Sequence, residues 1–396
     1  MRRTARLVPT LTLAAGSALL PAAFAHGASA AAAPGAAVAH GSSAASAHDL
    51  SAVAHGPSAA GPHGAGAARS ASRPAARAAA VKAAPEPVGK EAADTRSEQR
   101  AVSRYWTEAK MESAKPLDVP APRKEGVRLT AAATAEQAAA DPVEVPATRP
   151  GGGTVTPAAA AAARTSSGAA WTRGGTVAKT AGRVFFTYQG RNASCSATAV
   201  TGGNRSTVIT AGHCVRMGGA FHTNWVFVPG YANGERPYGT WVATALYTTP
   251  QWNDGEDVNY DVAAAVVAPL EGRSLTDVVG GQGVSFNQPR RQRMHAFGYP
   301  AAAPYDGSRL TYCAGQTFDD FMMSRDLGLN CTMNGGSSGG PWFAGFDENT
   351  GLGTVNSVNS FKYGFAGGWM FGPYFGAEAR DVYEAAQEAT TPIDRK

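Results

Sequence analysis

Three short strings in this sequence carry side chains that could do covalent chemistry together. Asn334-Gly335-Gly336-Ser337-Ser338-Gly339-Gly340-Pro341 sets a serine among glycines. Glycine tolerates positive φ and lets backbone amides approach a reacting group closely. Thr210-Ala211-Gly212-His213-Cys214 puts an imidazole at the end of a β-rich run, pinned by a neighbouring cysteine. Asn259-Tyr260-Asp261-Val262-Ala263 heads an apolar strand with a carboxylate that folding would partly bury. A serine hydroxyl needs a base to become a nucleophile, and the base needs a third group to fix its tautomer. The expected chemistry is acyl transfer: Ser338 attacks a carbonyl, His213 takes its proton and Asp261 steadies the imidazolium. The amides of Gly336 and Ser338 are expected to hold the oxyanion, at roughly 3–4 kcal/mol per donor. No metal or organic cofactor is required.

Each string has a plainer reading by itself, as a flexible Gly/Ser loop, a structural histidine or a solvated acid. Gly336 to Gly340 also fits the G-x-S-x-G elbow of α/β-hydrolases, but that fold needs Ser, Asp and His in that order. No histidine follows Ser338. Asp254, Glu256 and Asp257 lie in a polar loop without an evident oxygen cage for calcium. A zinc site lacks C-x-x-C or H-x-x-x-H spacing. A binding protein that keeps the fold without the activity is the alternative from another class. Such a protein usually lacks one of the three side chains, and all three are present here.

The elements that must position these residues are short and β-rich. Val184–Tyr188, Ser196–Val200, Thr207–Thr210, Trp225–Val228, Thr240–Leu246 and Val262–Val267 come first, then Met294–Phe297, Leu310–Tyr312 and Thr354–Val358. Gly, Asn and Pro separate them, the pattern of an all-β sandwich or barrel. Glu378 to Ala389 alone looks helical there. From Trp171 onward 17 Lys and Arg face 18 Asp and Glu, so the +5 net charge sits upstream. A near-neutral domain gives no case for nucleic acid.

Upstream the texture differs. Arg2, Arg3 and Arg6 precede an apolar run, Leu7 to Leu20, and Ala23-Phe24-Ala25 offers a cleavage site, so residues 1–25 read as a signal peptide. The run is shorter than the roughly 20 residues needed to span a bilayer. Export to a secreted, extracellular location follows, with no membrane association after processing. Residues 26–165 read as a pro-segment, low in complexity and mostly disordered. Ala101, Tyr105, Trp106, Ala109 and Met111 suggest one helix near 91–114, stopped by Pro116, that is either an isolated amphipathic helix or a pro-segment element docking on the enzyme to help it fold or keep it silent. Four cysteines, Cys195, Cys214, Cys313 and Cys331, indicate disulfides and allow three pairings. The sequential pairing closes two loops of similar length, each contributing on the order of 3 kcal/mol.

The Thr-Ala-Gly-His-Cys string, the Tyr-Asp-Val-Ala strand start and the Gly-Gly-Ser-Ser-Gly-Gly-Pro loop, in that order, resemble the chymotrypsin/trypsin-like serine proteases. Ser337-Ser338 and Gly298-Tyr299-Pro300 resemble the bacterial branch that includes glutamyl endopeptidases. The likeness covers about residues 171–396, so a protease domain is expected over 166–396. It implies an all-β fold of two packed six-stranded barrels with a C-terminal helix, the triad between them, and Cys195 paired with Cys214 beside His213. Ser337 stands where mammalian-type members carry an aspartate engaged by a new N-terminus, so activation is expected through removal of the pro-segment. Thr332, six residues before the nucleophile, replaces the aspartate of arginine- and lysine-cutting members. The histidine that glutamate-cutting members place after the serine is missing, the last one being His295. Asn356, Ser357 and Asn359 are expected to line a neutral, polar pocket with Thr332. The expected partners are protein or peptide substrates and the chain's own pro-segment, and the chain is expected to be a monomer.

Overall fold

Alternating β-branched and aromatic residues separated by tight turns build most of the structure, a computed structural model that describes residues 85–122, 141–155 and 164–391. The expected signal peptide and most of the low-complexity stretch lie outside the described residues. Six antiparallel strands form the first barrel: β1 (Ala181–Tyr188), β2 (Arg191–Ala199), β3 (Thr207–Thr210), β4 (Thr223–Pro229), β5 (Trp241–Thr248) and β6 (Ala263–Val267). The order β5-β4-β1-β2-β3-β6 closes where β5 pairs with β6. The β1–β2 hairpin turns through Gln189 and Gly190, both at positive φ, the backbone that matches the twist of the flanking strands. Phe185, Phe186, Ile209, Trp225 and Phe227 are buried in one hydrophobic cluster, Phe185 on the strand face that meets the Trp106 ring. All five residues of β6, Ala-Ala-Ala-Val-Val, are buried, because the C-terminal helix Ala377–Glu388 covers that strand. The helix presents Ala379, Val382, Tyr383 and Ala386 inward, the i, i+3, i+4, i+7 stripe of a helix with one buried face.

The second half comprises β7 (Gly283–Phe286), β8 (Arg293–Gly298), β9 (Thr311–Gln316), β10 (Leu327–Asn330), β11 (Pro341–Asp347), β12 (Leu352–Val358) and β13 (Trp369–Gly372). Strands β7-β12-β11-β8-β9 form one sheet, and β10 pairs with β13 in another. The Cys313–Cys331 disulfide ties β9 to the end of β10. Met294, Leu329, Trp342 and Met370 from both sheets share one core. Upstream chain completes the larger sheet: Val143–Val145 pairs with β7 and Ser166–Ala170 with β9.

Between 91 and 114 the chain forms two helices, Arg96–Tyr105 and Glu108–Ser113, where one was expected. The break is at Thr107, whose side chain accepts from the Lys110 amide and starts a new helix. Both dock on the first barrel. Trp106 is buried with its Nε1–H donating to Asn224 O, and Met111 is buried beside it. Val88–Glu91 pairs with β5, and Lys115–Pro116 runs parallel to Ala193–Ser194 of β2. Among the described residues, no helix is long and apolar enough to cross a membrane.

Candidate active site

Two antiparallel pairs bring the site together. In the first barrel Thr210 of β3 faces Ala263 of β6. Chain leaving β3 therefore reaches His213 beside Asp261, just before β6 begins. In the second half Pro341 of β11 faces Val358 of β12. Ser338, three residues before β11, accordingly lies near Ser360, two residues past β12.

His213 and Asp261 are both fully buried. The carboxylate accepts from the His213 backbone N–H at Oδ1 (2.8 Å) and meets the ring Nδ1 at Oδ2 (2.8 Å). A third donor, the Ser360 hydroxyl, closes on Oδ2. The Nε2 atom of His213 is buried and makes no hydrogen bond. Gly212 allows this placement: a Cβ there would lie 2.7 Å from the Trp252 ring. His222 braces the turn from behind. Its Nε2–H donates to His213 O at 2.8 Å and its ring stacks on Phe186. Burial pushes the His222 imidazole down to about 4, so it is neutral at pH 7 and its bond to the carbonyl carries no proton switch. His295 is likewise buried, in β8, with Nε2 at 3.2 Å from Glu348 Oε1.

Ser196 links the nucleophile loop to the histidine turn. Its N–H donates to Ser338 O (2.7 Å), and its hydroxyl donates to Gly336 O (2.8 Å) while accepting from Tyr299 N (2.8 Å). The adjacent Cys195 is joined to Cys214, next to His213, with S–S 2.04 Å. A side chain, a disulfide and a strand thus hold Ser338 and His213 in one frame. Gly336 adopts φ +93°, a left-handed backbone that L side chains rarely take. The N–H groups of Gly336 and Ser338 have no hydrogen-bond partner among the described residues, as donors awaiting an oxyanion would be.

The four residues expected to line the substrate pocket do not line the cavity at Ser338. Thr332 is exposed and its hydroxyl donates to Ser167 O at 2.6 Å. Asn356 donates to Ser285 O (3.0 Å) and Ser357 to Pro373 O (2.8 Å). Asn359 donates to Phe297 O (2.8 Å) and Ser337 O (2.9 Å) and accepts from Trp342 Nε1 (2.7 Å). Strand β12 is buried along its whole length, so its polar side chains bond inward. Asn359 instead props the loop that carries Ser338. Asn359→Ala would take the buried partner of Trp342 Nε1 and a donor each from Phe297 O and Ser337 O, the last keeping the Gly340 N–H, and is expected to destabilise by about 2–3 kcal/mol, read as a lowered urea midpoint at unchanged slope.

The cavity beside Ser338, about 210 Å³, is lined by Asn334, Gly335, Ser360, Phe361, Lys362 and Met370. Upstream chain forms part of its wall through Asp118 and Val119. Leu117 donates its N–H to Ser194 O (3.1 Å), and the Ser338 hydroxyl donates to Leu117 O (3.3 Å). Asp118 comes next and lines the cavity, and Val119 packs in a cluster with Trp252 and Phe361. Burial pushes the Asp118 carboxyl up, opposed by the charges of His213 and Lys362. Burial also pushes the Lys362 amine down to about 8, opposed by Asp118.

The sequence reading missed Ser196, Ser360, Lys362, Leu117 and Asp118. The signals were faint. Pro116, Pro120 and Pro122 bias 115–121 toward extended chain, the form that enters clefts. Among the described residues, the side chains spaced closely enough to hold a metal are Cys195, His213 and Cys214. Both sulfurs are already in the disulfide, so that set offers no thiolate.

No family model matches the chain. Over 54% of its length it superimposes on the protease Anisep from Arthrobacter nicotinovorans, with 46% identity, 98% of that chain covered and TM-score 0.52. The thermostable serine protease AL20 from an extremophilic microorganism matches over the same share, with 41% identity, full coverage of that chain and TM-score 0.52. Over 62 residues the chain is 37% identical to the extracellular metalloprotease of Bacillus subtilis (strain 168), a match spanning 20% of that relative.

Proposed function

Since the chain belongs to the chymotrypsin-like serine proteases, we propose that it is a secreted serine endopeptidase, made as a precursor and hydrolysing peptide bonds through Ser338, His213 and Asp261. One observation carries the assignment of roles. The buried imidazole is bonded on the Nδ1 side to a carboxylate with three donors, while Nε2 is left without a partner. That arrangement places the proton on Nδ1 and leaves Nε2 basic. Ser338 Oγ then adds to the carbonyl carbon of the scissile bond as its proton passes to Nε2. The amides of Gly336 and Ser338 take the negative oxygen. The proton moves from Nε2 to the leaving amine as the C–N bond breaks, and water reverses the sequence to free the acyl product.

The described state is read as the silent precursor. Ser338 gives its hydrogen bond to Leu117 O, so the Ser338–His213 bond is not made. Residues 26–165 are proposed as the pro-segment and 166–396 as the protease domain, the former lending Val143–Val145 to the second sheet. Two disulfides in the protease domain and the charged, apolar start of residues 1–25 support export to an oxidising compartment. A serine-directed phosphonate is expected to label Ser338 of the processed protein and to leave Ser338→Ala unlabelled. A processed sample that takes up no label would indicate the silent binding protein.

A further inference from the structure

Two upstream stretches dock on the protease domain, and the sheets they join differ in one respect. The first barrel closes on its own strands, because β5 pairs with β6. Val88–Glu91 adds to that closed ring without completing it. The second half is open. β7 pairs with β12 on one edge, and among the described residues its other edge meets Val143–Val145. Without that partner the N–H and C=O groups along β7 would lie bare, a template for any other strand.

β7 and the residues before it are shaped for this occupant. A Cβ at Gly283 would lie 2.8 Å from Val145 O, and one at Gly280 would lie 2.9 Å from Thr148 O. Thr148 N–H donates to Gly281 O (2.8 Å) and Gly281 N–H donates to Thr148 O (2.9 Å), the reciprocal pair of an antiparallel ladder. Ala147, just before it, is fully buried. Side chains of the second half add two more bonds, Asn287 Nδ2–H to Asp141 O (3.1 Å) and the Thr354 hydroxyl to Glu144 Oε1 (3.2 Å). Beyond β7 the sheet leads to the site: β12 runs on to Asn359, which props the nucleophile loop, and to Ser360, which bonds Asp261.

We propose that residues 141–155 are an edge strand of the protease itself and stay on β7 when 85–122 leaves the cleft. The inference rests on the endopeptidase reading above. It divides the upstream chain into an arm that occupies Ser338 and a strand that completes the second sheet. The partner of the β7 edge is then this chain's own segment, in place of a second copy or a substrate strand.

Two measurements test this. Processed protein, labelled at Ser338 by the phosphonate and passed through gel filtration, is denatured and weighed by mass spectrometry. The expected result is one copy of 141–155 per labelled serine, joined to the domain or as a separate peptide, with 85–122 gone. Labelled protein without 141–155 overturns the inference and leaves the endopeptidase standing. The second measurement follows hydrogen exchange of the full chain, before processing, in rising urea. The amides of 141–155 are expected to open with β7 and β12, and those of 85–122 in an earlier step. Opening of 141–155 together with 85–122, ahead of β7, overturns the inference. Absent labelling overturns the endopeptidase reading, and the exchange pattern still decides the strand.

Discussion

Replacing His213 by alanine is expected to lower kcat of the processed protein by about five to six orders of magnitude, with the fold intact. The size follows from the triad acting as a unit: without a base the hydroxyl is a poor nucleophile, and only the oxyanion donors and substrate binding remain. Retention of the fold follows from the bonds around Asp261. Its Oδ1 accepts from the backbone N–H of residue 213, which alanine keeps, and its Oδ2 accepts from Ser360. The carboxylate would therefore lose one of three donors and stay paired. Burst titration and turnover of a peptide ester would measure the loss, and thermal unfolding would check the fold. A drop of only about tenfold at an unchanged melting temperature would remove His213 from its role as base.

What the sequence made legible was local chemistry. The strings around His213, Asp261 and Ser338 each combine a reactive side chain with the backbone feature that presents it. The strand pairing that gathers them was not legible, since Thr210 opposite Ala263 joins strands far apart in the chain, while Pro341 opposite Val358 is the register of consecutive strands. Strands such as Val184–Tyr188 and Val262–Val267 were visible because they are apolar and β-branched or bounded by turns. β10, Leu-Gly-Leu-Asn, and β7, Gly-Val-Ser-Phe, were not, since four residues with a glycine carry no readable period. The pocket residues were a different matter. Asn356, Ser357 and Asn359 were named through the family resemblance, and their side chains bond inward, because which face of β12 is wet depends on the sheet neighbours on either side of it. Lys362 and Asp118 were hidden further still, because the cavity is formed by parts of the chain separated by over 200 residues in sequence.

Asp261→Asn is expected to lower kcat/KM at neutral pH by about four orders of magnitude with little change in stability. The amide oxygen of the new side chain has to take the Oδ1 place, since the His213 backbone N–H points there and can only donate. Its NH2 then falls at the Oδ2 place, opposite Nδ1. Two donors cannot face each other, so the imidazole must move its proton from Nδ1 to Nε2. The nitrogen turned toward the nucleophile becomes a donor and cannot accept the Ser338 proton. Ser360 adapts by rotating its hydroxyl, and the buried amide keeps partners for both of its ends, which is why unfolding should shift little. Nitrogen-15 spectra of the His213 ring would report the tautomer directly, alongside kcat/KM on a peptide substrate. Near-normal turnover at pH 7, or a ring still protonated at Nδ1, would show that the carboxylate does not set the base.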